Sequence, residues 1–153
     1  MTEFPNYRDD GGDKFQFEYQ KSPPIELEER SITSWLEAIC FNEGKKIRHI
    51  QLIFCSDEFL FNINEKYLSH PNYTDTIAFS YVTDPIEGDI FISIDRVSDN
   101  AQRYGNGIFA AELYRVLAHG LLHLCGYTDN SKKMKREMKV LEDNYLQTSP
   151  LFS

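Results

Sequence analysis

The chain predicts an α+β fold: a single mixed four-stranded β-sheet with helices packed on it. Three observations carry this. Four short segments show the two-residue apolar alternation of strands, and the segments around them show helical spacing. Their order reads β-α-β-α-β-β-α-α-α, with helices first interleaved and then clustered at the end. No repeat, low-complexity run or linker divides the 153 residues, so 1–153 reads as one domain with a flexible lead-in over 1–13.

Each element has a local reason. Phe15, Phe17 and Tyr19 alternate with Gln16 and Glu18, and Pro23-Pro24 stops that strand. Ile32, Trp35, Leu36, Ile39 and Cys40 recur at helical spacing up to Gly44. Ile50, Leu52 and Phe54 alternate in a second strand. Ser56-Asp57-Glu58 has a capping residue followed by acids that suit the first turn of a helix carrying Leu60, Ile63 and Tyr67. SHPNYTD, residues 69–75, reads as a loop. TIAFSY and GDIFIS read as a hairpin whose turn contains Pro85 and Gly88. A short helix is expected near Val97 to Tyr104, broken by Gly105-Asn106-Gly107. A longer helix runs from about Ile108 to Leu124. Ser131 caps a last helix in which Met134, Met138, Leu141 and Tyr145 share a face.

Composition narrows the function. Hydrophobic residues make up 41% of the chain and aromatics 14%, enough for a core. The 24 acidic against 16 basic side chains leave a formal charge of -8, which disfavours a strong nonspecific nucleic-acid binder but leaves room for a locally basic site. Cys40, Cys55 and Cys125 form no CxxC pair and fall on apolar faces, as reduced, buried thiols do. The opening MTEFPNYRDDGGDK lacks the basic start and apolar core of a signal peptide. The most apolar window, 107–126, holds Glu112, Arg115, His119 and His123, a poor membrane span. A soluble cytoplasmic protein is expected.

The chemistry concentrates in AHGLLHLCGYTDNS, Ala118 to Ser131. Residues four apart lie on one helix face, so His119 and His123 can point at one ion. Gly126 can end the helix in a left-handed conformation, and the chain then turns so that Asp129 can add a carboxylate. Two imidazoles, one carboxylate and an open position for water suit catalytic zinc at the end of a central helix. Nickel or another first-row ion would accept the same donors. The competing reading is a core helix with two hydrogen-bonded histidines. Gly120 follows His119, so the glutamate of HExxH is missing and an ordinary zinc metalloprotease is excluded.

HGLLHLCGYTD resembles the signature of the YbeY family of bacterial endoribonucleases, H-G-x-L-H-L-x-G-x-D-H. His119, Gly120, Leu122, His123, Leu124 and Gly126 match position by position. TDTIAFSY resembles the family's T-[ND]-V-L-S-F-P segment, GDIFIS its G-D-I-x-I strand, and Glu112-Leu113 its E-L. The similarity extends from roughly Ile50 to Tyr145. In three places the chain departs. Asp129 stands where the family has its third histidine ligand, Thr128 where it has an aspartate, and Leu68 where an arginine usually follows the tyrosine.

The resemblance implies single-strand-specific, metal-dependent cleavage of ribosomal RNA in ribosome maturation and quality control. Zn2+ would be the cofactor, ribosomal RNA and the small ribosomal subunit the partners, with no membrane and no DNA. Water or a ribose 2′-hydroxyl can be the nucleophile. Asp75, in the loop before the hairpin, is the candidate general base. Glu112, two turns before His119 on the same face, is a candidate to orient a ligand or else a salt-bridge partner of Arg115 or Arg103. Lys66 and His70 lie near Leu68 and can replace the missing arginine. Lys132, Lys133 and Arg136, in KKMKREMK, can form an RNA-phosphate rim or a solvated helix face. Lys45-Lys46-Ile47-Arg48-His49 reads as a basic turn before a strand. Two other readings stay open: a metal-dependent hydrolase of an amide or peptide, and a ribosome-associated binding protein with a structural metal.

Overall fold

The computed structural model describes residues 14–69, 72–104 and 107–152. Its elements follow the expected order: β1 (Phe15–Gln20), α1 (Glu29–Asn42), β2 (Ile47–Cys55), α2 (Asp57–Leu68), β3 (Thr76–Thr83), β4 (Ile86–Ser93), α3 (Ile94–Arg103), α4 (Phe109–Leu124) and α5 (Lys132–Leu146), then a 3₁₀ turn at Pro150–Phe152. The four strands form one sheet in the order β1-β2-β4-β3. β1 and β4 run parallel to β2, and β3 returns antiparallel to β4. The fold is the α+β arrangement that the alternation predicts. The lead-in 1–13, His70 and the Gly105-Asn106 pair lie outside the described residues.

Strand alternation divides the sheet into two unequal faces. Ile50, Leu52, Phe54, Ile86, Ile90 and Ile92 point to one face, where Trp35 and Leu36 of α1, Val97 of α3, Leu117 and Leu121 of α4 and Met138 of α5 complete the main core. On the other face Cys55, Ile77, Phe79 and Phe91 meet only α2, through Phe59, Leu60 and Ile63. Helix α4 thus lies on the large core, with α2 behind the sheet. The three cysteines are buried free thiols.

Local rules set the helix ends. Ser56, Ser93 and Ser131 each cap a helix by accepting the amide of the third residue on, at 3.1 Å in every case. The start of α3 is therefore Ile94, three residues before the expected Val97, because Ser93 supplies the cap. Gly88 is not in the hairpin turn, which is made by Asp84 and Pro85; it lies inside β4 opposite Ser80. The reason is close approach. A Cβ at Gly88 would sit 2.9 Å from Leu124 Cδ2 and 2.6 Å from the Phe79 carbonyl, and one at Gly120 would sit 2.7 Å from Ile90 Cγ2. These two glycines let α4 lie against β4, which brings its histidines to the start of β3.

Candidate metal centre

His119 and His123 project from the last turns of α4. Gly126, at φ 109°, then reverses the chain: its amide bonds to the His123 carbonyl and the Tyr127 amide to the Leu122 carbonyl, both at 3.0 Å. The reversal carries Asp129 back over the helix end. Nε2 of His119 and Nε2 of His123 are 3.0 Å apart, and Asp129 Oδ2 is 3.6 and 3.7 Å from them. The three groups are partly buried, with side-chain exposures of 26%, 28% and 38%. They line a cleft of about 600 Å³ together with Thr74, Asp75, Thr76 and Ala78.

The outer hydrogen bonds decide which atoms face inward. Nδ1 of His119 lies 2.5 Å from Glu142 Oε2, and Nδ1 of His123 lies 3.0 Å from the Tyr127 carbonyl oxygen. A carbonyl only accepts, so His123 Nδ1 donates, and the ionised Glu142 asks the same of His119. With both Nδ1 protons committed outward, two neutral rings would aim two Nε2 lone pairs at each other beside a carboxylate. A shared proton or a cation resolves that repulsion. Zinc bonds of about 2.0–2.1 Å place tetrahedral ligands roughly 3.3 Å apart, close to the separations here, so the donor set fits a zinc-sized ion.

The electrostatics set the two rings apart. Burial disfavours a charged His119, but the Glu142 hydrogen bond and charge outweigh it and raise the ring's pKa. Burial and then the neighbouring His119 lower that of His123. Asp75 is raised by burial, partly offset by His119. Glu112 is raised by burial and then by the Asp75 charge.

Glu142 is the functional residue that the sequence reading missed. It is 7% exposed, accepts Arg115 Nη1 at 3.2 Å, and so reaches His119 with its charge compensated. Arg115 also binds Asp143, at 2.6 Å. The carboxylate that meets the His119 ring is therefore Glu142, and no hydrogen bond or ion pair joins Glu112 to either histidine among the described residues. Arg115 and Arg103 pair with Glu142, Asp143 and Asp99, so Glu112 is not their salt-bridge partner among the described residues. A glutamate four residues after Met138, and so on the face of α5 expected to turn inward, was the available signal.

The remaining candidates scatter. Asp75 lines the same cleft as His119, His123 and Asp129. Lys66 lies over the Tyr67 ring, which packs edge-on to Phe79 of the α2 face, and it is not among the cleft's lining residues. Lys132, Lys133 and Arg136 are exposed in the first turns of α5 and make no ion pair among the described residues. Met134 does not face inward with Met138: it is 42% exposed, and its sulfur accepts the Thr128 hydroxyl at 3.0 Å.

A mixed sheet carrying a His-His-carboxylate triad at the end of its central helix defines a candidate metalloenzyme domain. The family model for endoribonuclease YbeY matches residues 16–149. A curated endoribonuclease YbeY of Cytophaga hutchinsonii is 48% identical over 83% of this chain and 90% of its own length. That of Bacteroides thetaiotaomicron is 39% identical over 86% and 95%. The solution structure of a Thermotoga maritima protein superposes with a TM-score of 0.60 at 24% identity, covering 86% of this chain and 87% of that one, which shows the shared fold. The chain belongs to the YbeY endoribonuclease family.

Proposed function

We propose that this chain is a zinc-dependent endoribonuclease that cuts single-stranded segments of ribosomal RNA during maturation of the small ribosomal subunit. The carrying observation is the convergence of His119 Nε2, His123 Nε2 and Asp129 Oδ2, each imidazole turned inward by a hydrogen bond at its far nitrogen, in a chain of this family. When bound, a divalent ion supplies Lewis acidity toward a phosphodiester oxygen and makes water more acidic. His119, His123 and Asp129 hold it, and Glu142 and the Tyr127 carbonyl keep the two rings in the binding tautomer.

Asp75 is the general base. It lines the same cleft as the triad, and burial raises its pKa toward the range where a carboxylate takes a proton efficiently. It accepts the proton of the attacking water or 2′-hydroxyl, while Glu112, whose own pKa burial raises, stands as the second acid near it. The exposed Lys132, Lys133 and Arg136 supply phosphate contacts beyond Asp129, and Lys66, on α2, serves RNA as well; His70 keeps that role on its sequence position alone. Membership of an endoribonuclease family weighs against an amide hydrolase and against a binding protein with a purely structural metal. Among the described residues no helix is long and apolar enough to cross a membrane, consistent with a cytoplasmic site of action.

The test is cleavage of ribosomal RNA, free and in small subunits, by the metal-loaded protein and its Asp75→Asn variant. Cleavage lost on substitution supports the reading. A protein that binds metal stoichiometrically yet processes neither substrate overturns it.

A further inference from the structure

We infer that the groove between the end of α1 and the start of the sheet is a second binding site for single-stranded RNA, holding the phosphate backbone beside the metal cleft. This rests on the endoribonuclease reading and deepens it. The groove encloses about 630 Å³ and is lined by Lys14, Lys45, Lys46, Glu37, Phe41 and Pro85 among others. In a chain with a formal charge of -8, three lysines face one acid there. None of the three makes an ion pair among the described residues.

The lysines are held at their backbones. The Lys45 amide donates to the Cys40 carbonyl at 2.8 Å, the Lys46 carbonyl accepts from Ile86 at 2.8 Å, and the Lys14 carbonyl accepts from Ile50 at 2.7 Å. Phe41 is 87% exposed, the highest value for a large hydrophobic side chain among the described residues. A fully offered ring amid cationic side chains is the arrangement that stacks a base while lysines take its flanking phosphates. An acidic protein surface would use the lysines and leave that ring without a role.

A chain of contacts links the groove to the cleft. Tyr127 lines the metal cleft, and its hydroxyl donates to Glu43 at 2.8 Å. Glu43 also accepts the Tyr145 hydroxyl, and only Gly44 separates it from Lys45. A strand with one phosphate at the triad would reach the lysine groove past the Tyr127–Glu43 bridge. The Lys45-Lys46 cluster, which sequence alone renders as a basic turn, becomes part of the substrate track.

The experiment is fluorescence anisotropy of labelled single-stranded RNAs of about 4 and about 12 nucleotides with the metal-loaded protein, across a salt series, with gels confirming intact RNA. The variants are Lys14→Ala/Lys45→Ala/Lys46→Ala and Phe41→Ala, each checked by thermal melting; the charge reversal Lys46→Glu serves if the triple variant fails to fold. The triple variant is expected to bind the longer RNA roughly tenfold more weakly and to flatten the log-log salt slope by about 2. Phe41→Ala weakens binding about fivefold or more with the slope unchanged. Wild-type protein that cuts RNA while the lysine variants keep its affinity and slope overturns the groove alone. Wild-type protein that neither binds nor cuts RNA overturns the endoribonuclease reading and the groove together.

Discussion

Two polar clusters sit on this fold, and they are built on opposite principles. Where α2 meets α3, Arg96 binds Asp57 at 2.8 Å and Asp99 at 3.5 Å, and the Ser93 hydroxyl donates to Asp57 at 3.1 Å. Charges there are matched, and the Asp57 hydrogen bond holds Arg96 more firmly in its charged form. At the end of α4, two imidazoles face each other beside Asp129, with Asp75 in the same cleft and its carboxyl raised by burial. Arg115 on that side is committed to Glu142 and Asp143, and Lys139 lies 3.9 Å from Asp143. The first cluster is complete within the protein. The second turns donor atoms of two imidazoles and a carboxylate toward one another, the geometry of a candidate metal site.

The contrast can be broken most directly at Asp129. Asp129→Ala is expected to lower metal content from about one equivalent to roughly a tenth or less, measured by atomic emission after gel filtration, because two imidazoles alone leave a catalytic-type zinc site one protein ligand short. Retention of a full equivalent would remove Asp129 from the site. Glu142→Gln sharpens the comparison next. Metal affinity in a competition titration should fall roughly 10–100-fold, since the amide can still accept the His119 proton but no longer carries charge. Unchanged affinity would reduce Glu142 to a packing residue.

Arg96→Met tests the matched cluster. The pair is partly exposed, at 30% and 23%, so stability should fall by no more than about 1 kcal/mol in urea unfolding, with metal content untouched. Loss of metal would show that the two clusters are coupled.

The subtlest test is Asp75→Asn in metal-free protein. A carboxyl whose folded pKa is raised holds its proton more tightly folded than unfolded, so wild-type stability falls as pH climbs from the ordinary carboxylate range through the raised value. The variant should therefore melt above wild type at neutral pH and level with it below that range. Equal melting at every pH would mean that Asp75 carries no burial penalty.

Element order, the Ser56 and Ser131 caps and the pairing of His119 with His123 could all be read along the chain. Each depends on residues a few positions apart, where periodicity and capping rules operate. Met134 marks the limit of that logic. Helical spacing says which residues share a face, not how far along the helix the face is covered, and Met134 lies exposed while Met138 is buried. Glu112 shows a similar limit: it shares the face of His119, yet the side chain that meets the ring is Glu142, from another helix.

What the chain determined unaided is the set of elements and the donor pair, because hydrogen bonding and apolar spacing within one helix or strand act over a single turn. Tertiary structure alone decided that Glu142, 23 residues after His119, orients that ring. It likewise decided the order β1-β2-β4-β3 and the meeting of Tyr127 with Glu43 across 84 residues. These contacts arise only when burial of the sheet's large face packs α1, α4 and α5 together, and no spacing in the sequence encodes which side chains then touch.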